Sequence, residues 1–515
     1  MKKLIFIICF ALLLWFFAVD SRAADIYIDP TWGGTETGTF AEPLASWPST
    51  ISTTDDYRQK CGTTTTETTI TVSSTGTSGN HVVIGAYNAD GSHEDGGNET
   101  FGQLCSGGGA KPIIDGTVDV TTGFEITGTY IEVNSVQLQQ MGSSISVNGS
   151  NNIVRYSYFY DVTYGIRCNT SATANNALFE YNHFDLNAVA PDGGGLSTDA
   201  IELNENCDSG TIQYNEFTDY DHGAVDFQGG DSNTVQYNYM YSGGDNQEDF
   251  CIGSNFHSDN NTVRYNYCDG VGQGLEIFGG NDFFVYGNVF ICDAGNGPYD
   301  NMGCVMVQSG SGSSAYTSSR NLIYNNVIYD HDNYSNDDNG IRVSATPGSD
   351  MVVEDNIFAN NVIMKVGGAC IHVRDMAAMI DNTTFYNNSC YDYGASKYAI
   401  VTDGTSNTYT TAANFNSEGR AEITASGNID TDPGLNNAAV HEFWPASTAS
   451  NIYQTGYNVG APYDTLLDPD TTDFTASPPV VSTIQQATDF IGAYDIERDV
   501  AAPFSGMLPQ GCIFN

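Results

Sequence analysis

The chain has 515 residues, of which 62 are acidic and 16 basic, a formal charge of −46 at neutral pH. This excludes a sequence-independent binder of DNA or RNA, which needs a cationic surface, and disfavours attraction to anionic membranes. With 40% hydrophobic and 12% aromatic residues it is no disordered acidic tail. Gly, Tyr and β-branched residues outweigh strong helix formers, so the chain is expected to be all-β.

Residues 1–23 read as a secretory signal peptide. Lys2 and Lys3 precede an apolar run from Leu4 to Val19, and Ser21-Arg22-Ala23 supplies small residues at the cleavage positions. The run is shorter than the ~20 residues of a spanning helix, so a secreted, extracellular or periplasmic protein with no membrane anchor is expected. Eleven cysteines remain after Cys9, an odd number. The short-range disulfide candidates are Cys61–Cys105, Cys292–Cys304 and Cys370–Cys390, in an oxidising compartment that permits them.

Residues 24–110 are assigned to an N-terminal cap and first coils. From 111 to 430 one pattern recurs: apolar, two residues, Asn, one residue, apolar. Examples are Phe179-Glu-Tyr-Asn182-His-Phe184 and Val263-Arg-Tyr-Asn266-Tyr-Cys268. The anchors fall at 134, 157 (a Ser), 182, 215, 238, 266, 288, 326, 356 and 388, with a floor near 22 residues. That is too short for a four-stranded propeller blade and fits stacked parallel coils. The Asn is expected to take a left-handed backbone at a bend and to hydrogen-bond from rung to rung. Tyr156, Tyr181, Tyr214, Tyr237 and Tyr265 share one repeat position and should stack. Residues 431–515 form a C-terminal cap and tail.

Between the anchors lies a second strand with period-two alternation, as in Ala200-Ile-Glu-Leu203 and Gly274-Leu-Glu-Ile277. With the Asn repeats, the openings Asp25-Ile-Tyr-Ile-Asp-Pro30 and Gly38-Thr-Phe-Ala-Glu-Pro43, and a first coil at His81-Val-Val-Ile-Gly85, the chain resembles the right-handed parallel β-helix proteins. That group includes pectate-lyase-like lyases and polygalacturonases. Asp432-Pro433 and Phe490-Ile-Gly-Ala-Tyr-Asp495 are similar to the tail of surface β-helix proteins that carry exchangeable anchors. The resemblance implies a solenoid of about ten or more coils and an activity on polysaccharide, although the fold hosts many functions.

In such a stack, equivalent positions lie roughly 4.8 Å apart. The outward position of the second strand then forms a column: Arg167, Glu202, Asp226, Cys251, Glu276, Met306, Arg342 and His372. Asp199, His222, Glu248 and Asp249 lie just before it. Two carboxylates at about 5 Å repel by roughly 3 kcal/mol at an effective dielectric of 20, enough to keep one protonated as a general acid. Glu202, Asp226, Glu276 and His222 are therefore the catalytic candidates. Arg167, Arg342 and His372 are candidate substrate contacts, and Asp199, Glu248 and Asp249 candidate ligands for Ca²⁺. Carboxylates ~5 Å apart suit retaining glycoside hydrolysis and a wider pair the inverting kind; a lyase would instead need a basic proton acceptor. Oxygen-rich loops at Asn88–Asp95 and Asp330–Asn339 are further calcium candidates. The partner expected is an extracellular polysaccharide. The competing reading is a non-catalytic adhesin or a self-associating matrix protein, which the acidic surface also suits.

Overall fold

The computed structural model describes residues 24–437, excepting 95–103, 117–121, 169–172, 187–198, 221, 243–249, 293–302, 310–315, 332–337, 346–350, 375–378, 395–396 and 404; beyond 437 it describes the strands 442–445, 470–473 and 480–483. The signal peptide, Glu248, Asp249, most of the Asp330–Asn339 loop and the Phe490–Asp495 motif lie outside the described residues. No described helix is long and apolar enough to cross a membrane.

The chain winds into a parallel β-helix. One sheet runs through fourteen successive strands from Asp25–Ile28 to Ile423–Ser426, each paired in parallel with the next coil. The remaining long strands form two further stacks joined at a bend, as in Glu216–Thr218 and Gly223–Gln228. Parallel pairing through crossovers buries the inward side of every strand, which explains the Val, Ile and Phe at alternate positions. Val154, Phe179, Ile212, Val235 and Val263 form one core column, each at most 1% exposed. Phe159, Phe184 and Phe217 form another, with rings stacked at 4.5 and 4.8 Å.

The asparagines close the bends. Asn182, Asn215, Asn238, Asn266, Asn288, Asn326, Asn361, Asn388 and Asn428 make one ladder. In each, the backbone N–H and side-chain Nδ2 donate to the Oδ1 of the next, as at Asn215 to Asn238 (2.9 and 3.0 Å). Nδ2 also donates to a carbonyl of the preceding coil, Phe179 for Asn215. Every polar atom of a fully buried amide is thereby satisfied, which a coil interior requires.

Three expectations need correction. The left-handed residue is the one before the ladder Asn, where Tyr156, Tyr181, Tyr214, Tyr237 and Tyr265 have φ between 51° and 55°. Asn134 lies two residues short of the ladder, where Val136 pairs in register beside Ser157. Asn356 belongs to a second ladder, accepting from the Asn321 N–H at 3.0 Å, and Asn361 takes the place assigned to it. That second ladder also contains Asn152, Asn233 and Asn261, and it closes the preceding bend.

The three expected disulfides form, and Cys168–Cys207 adds a fourth.

Candidate functional site

The outward column is built by strand register. Arg167 pairs with Glu202, Glu202 with Asp226, Asp226 with Gly253, Gly253 with Glu276, Glu276 with Met306, Met306 with Arg342 and Arg342 with His372. Gly253, not Cys251, holds the fourth place. The expected segment Asp249-Phe-Cys-Ile252, with Cys251 outward, is two residues out of register. Cys251 sits instead in the small-residue position shared by Ala200, Ala224 and Gly274, and it is fully buried.

A glycine between two carboxylates makes room for Phe250. A Cβ on Gly253 would overlap the Phe250 ring, and one on Gly223 would meet both that ring and Asp199 Oδ1. The ring is 3% exposed and lies edge-on to His222 at 4.6 Å. It forms an apolar wall beside the acidic cluster.

That cluster joins Asp199, His222 and Asp226. Asp199 Oδ1 and His222 Nδ1 are 2.7 Å apart, and the side chains are 4% and 22% exposed. Asp226 lies behind them, fully buried, accepting hydrogen bonds from Gln228 and from Asn255 Nδ2. Burial, followed by the Asp199 charge, pushes its carboxyl up to about 8, so at neutral pH it holds a proton. Glu202 is also buried, which raises its carboxyl; Arg167 Nε at 3.0 Å and Asn204 act in the opposite direction.

Exposure redistributes the expected roles. A group that exchanges a proton with a substrate must reach it. Asp226 is closed off, and Glu202 is 5% exposed and held by Arg167. The imidazole of His222 is the member of the trio that faces out. The two-carboxylate arrangement read from the sequence thus becomes a histidine oriented by Asp199 and backed by a neutral Asp226.

Further along the column, Glu276 accepts from Gln308 Nε2 at 3.0 Å. Arg342 and His372 are neighbours in register, and Arg374 follows two residues beyond His372 in the same strand. A parallel row runs two residues on from the column, polar at Asn204, Gln228, Asn255, Gln308 and Ser344 and interrupted by Phe278 before Gln308. The sequence reading missed this row, although the Glu-x-Asn and Asp-x-Gln spacings carry it.

The trio also offers metal ligands. One imidazole nitrogen and two carboxylate oxygens lie within 4.8 Å of one another. Imidazole with carboxylates suits zinc, manganese or iron, whereas calcium favours an all-oxygen shell. Of the expected calcium set, only Asp199 lies within the described residues. In the Asn88–Asp95 loop the oxygens serve the turn: Asp90 accepts from Ser92, and Glu94 from Asn88 and Ser106.

A second cluster lies on the neighbouring strand stack. Glu216 is 6% exposed, with Asp185 nearby and His183 Nδ1 3.8 Å away. Burial and the Asp185 charge push its carboxyl up to about 7. Tyr158 donates to Asp185 at 2.9 Å. The tyrosine ladder offers no sugar platform along its length, because successive rings stack at 5.1–5.3 Å with planes within 12°. Each face is covered by the next ring. Past Tyr265 the stack ends at Gly287, whose missing side chain leaves room for the Tyr265 ring.

No protein-family model matches the chain, and no curated protein matches it. Among solved structures it is similar to the GH136 lacto-N-biosidase from Eubacterium ramulus, with 13% identity and TM-score 0.44, over 72% of this chain and 68% of that one. It is similar to the catalytic domain of a GH87 alpha-1,3-glucanase in complex with nigerose, with 11% identity and TM-score 0.44, over 72% and 64%. It is also similar to a PL6 alginate lyase in complex with a trisaccharide, with 12% identity and TM-score 0.41, over 80% and 97%. At these identities no residue role is carried from them to this chain.

Proposed function

We propose that this is a secreted carbohydrate-active protein that binds an extracellular polysaccharide on the face where Arg167, His222, Glu276 and Arg342 present surface and cleaves it at His222. The observation that carries the reading is the Asp199–His222 pair, an oriented imidazole on a face that also carries a row of polar side chains, interrupted at Phe278. A periodic row suits a periodic polar ligand, with about one coil rise per repeating unit. Three solved structures named above bear the names of a biosidase, a glucanase and an alginate lyase; the proposal rests on this chain's own groove.

The reaction class follows from which group is accessible. A histidine base suits proton abstraction beside a uronate carboxylate, and Arg167, two coils away in register, supplies a guanidinium for the polymer's carboxylates. The glycosidic bond then breaks by elimination, leaving a carbon–carbon double bond on one product. The guanidinium groups of Arg167 at one end and of Arg342 and Arg374 at the other offset part of the repulsion an acidic polymer meets from the rest of the molecule. Four disulfides fit an oxidising, extracellular location.

The test is incubation of the exported protein with a panel of uronate-containing and neutral glycans. Elimination is expected to release oligosaccharides that absorb in the ultraviolet. New reducing ends without that absorbance would replace elimination by hydrolysis, and no cleavage or binding of any glycan would remove the reading.

The compactness of the trio favours one second reading, in which Asp199, His222 and Asp226 hold a transition metal. Such an ion would polarise the substrate as a Lewis acid. Stoichiometric zinc, manganese or iron in the purified protein, with activity lost on chelation and restored on reloading, would favour it over the free-base reading.

A further inference from the structure

Cys251 and Cys268 are both fully buried, seventeen residues apart, and stand as thiols in a chain whose other described cysteines are all in disulfides. Each lies within electrostatic reach of the other: after burial, Cys251 helps to push the Cys268 thiol well above its ordinary value. Among the described residues, the Tyr220 hydroxyl lies 3.4 Å from Cys251 Sγ and the Met240 thioether 3.8 Å from Cys268 Sγ.

The register adds an independent observation. Cys251 immediately precedes Ile252, and Cys370 immediately precedes Ile371, in a single inward column. Cys268 and Cys390 occupy one position of the adjoining stack, connected through Phe290, Ile328 and Ile363. In both cases the second cysteine belongs to the coil after the first. Cys251 and Cys268 therefore occupy the same two places, one coil apart, as the bonded pair Cys370–Cys390. A site on the repeating scaffold that accepts a disulfide once presents the same backbone geometry four coils earlier.

We propose that Cys251 and Cys268 form a fifth disulfide in the exported protein, tying the coil that carries Phe250 and Gly253 to the one above. Formation removes two protons and two electrons. One thiolate attacks a disulfide oxidant, either a small-molecule disulfide or an oxidised dithiol protein. The second thiolate then attacks the mixed disulfide and displaces the oxidant's remaining sulfur, so the oxidant leaves reduced, as two thiols or as a dithiol protein. Because both sulfurs are closed off from solvent, the exchange takes place as the coils assemble, before the core closes.

The test uses the full chain exported into an oxidising compartment. The protein is unfolded in guanidinium without reductant, alkylated with iodoacetamide, digested and weighed by mass spectrometry. Expected is a linked peptide pair containing Cys251 and Cys268, with neither residue alkylated. Recovery of both cysteines in alkylated form, with the other four disulfides intact, would overturn the proposal. As a second arm, Cys251→Ser is expected to make Cys268 alkylatable while leaving Cys370–Cys390 linked; if Cys268 was already alkylated to the same extent in the unmodified chain, the proposal fails.

Discussion

Asp199 Oδ1 and His222 Nδ1 approach to 2.7 Å across neighbouring coils, and of the two residues only His222 presents much surface. An imidazole held at Nδ1 by a carboxylate has a fixed ring orientation and a defined tautomer. Replacing His222 by Gln keeps a polar side chain and removes the base. Turnover of the glycan is expected to fall by about 10²–10⁴-fold, the usual worth of a general base, with binding little changed. Asp199→Asn should give a smaller loss, again in kcat more than in KM. Steady-state kinetics on the two variants checks this; a loss confined to KM would make the pair a binding contact.

Gly253 owes its place to Phe250. The ring occupies the space a Cβ would need, and Gly253 lies between Asp226 and Glu276 in the column. Gly253→Ala forces the ring from its seat or shifts the strand. An overpacked core site of this kind costs typically 1–3 kcal/mol. Since the ring also walls His222, the variant should lose activity beyond its loss of stability. Denaturant unfolding together with turnover measured well below the transition separates the two effects. Full activity and unchanged stability would show that the ring moves freely.

Glu216 supplies a pH signature. Its carboxyl is pushed up to about 7 by burial and by Asp185, while an unfolded glutamate titrates near ~4.3. Between these values the folded protein holds a proton that the unfolded chain has released, so stability falls as pH rises through that window. The total fall attributable to this group is about 4 kcal/mol at a little over 1.3 kcal/mol per unit. Below the window both states are protonated, and above it both are ionised and the penalty is complete. Glu216→Gln removes the titration. Urea unfolding at steps from pH 4 to 8 should show the wild type losing ground to the variant as pH rises, and parallel curves would refute the assignment.

The solenoid was legible because its repeat is chemical as well as periodic. An Asn recurring with apolar residues at fixed offsets marks a buried amide at a bend, and nine such residues form the ladder. Asn356 was misplaced because two ladders run five residues apart, as at Asn233 and Asn238 or Asn321 and Asn326, and a single-template reading takes whichever fits. The column of the site was legible for the same reason, except at Gly253. A glycine has no side chain to reveal its face, and the neighbouring Cys251 imitated the pattern. What the repeat could not show was depth. Asp226 and His222 look equally available in the sequence, and only the packing of Phe250, Gln228 and Asp199 around them decides which meets solvent.

The tyrosine ladder separates stability from binding. Tyr214 has φ of 54°, a backbone region that costs an L-residue roughly 1–2 kcal/mol and that Asn tolerates better than most. Its ring stacks on Tyr181 at 5.1 Å and Tyr237 at 5.3 Å, contacts worth about 0.5–1.5 kcal/mol each beyond area burial. Asn occupies the same position in later coils, at Asn325, Asn360 and Asn387, which shows that the bend itself accepts it. Tyr214→Asn should therefore lower stability by only about 1–2 kcal/mol, the relief of backbone strain offsetting part of the lost stacking. Tyr214→Ala loses the stack and keeps the strain, and should cost more. Neither change should alter glycan affinity, since both faces of the ring are covered by its neighbours. Unfolding curves and glycan titrations on the two variants test both halves; a weakened affinity at unchanged stability would return the ladder to the binding surface.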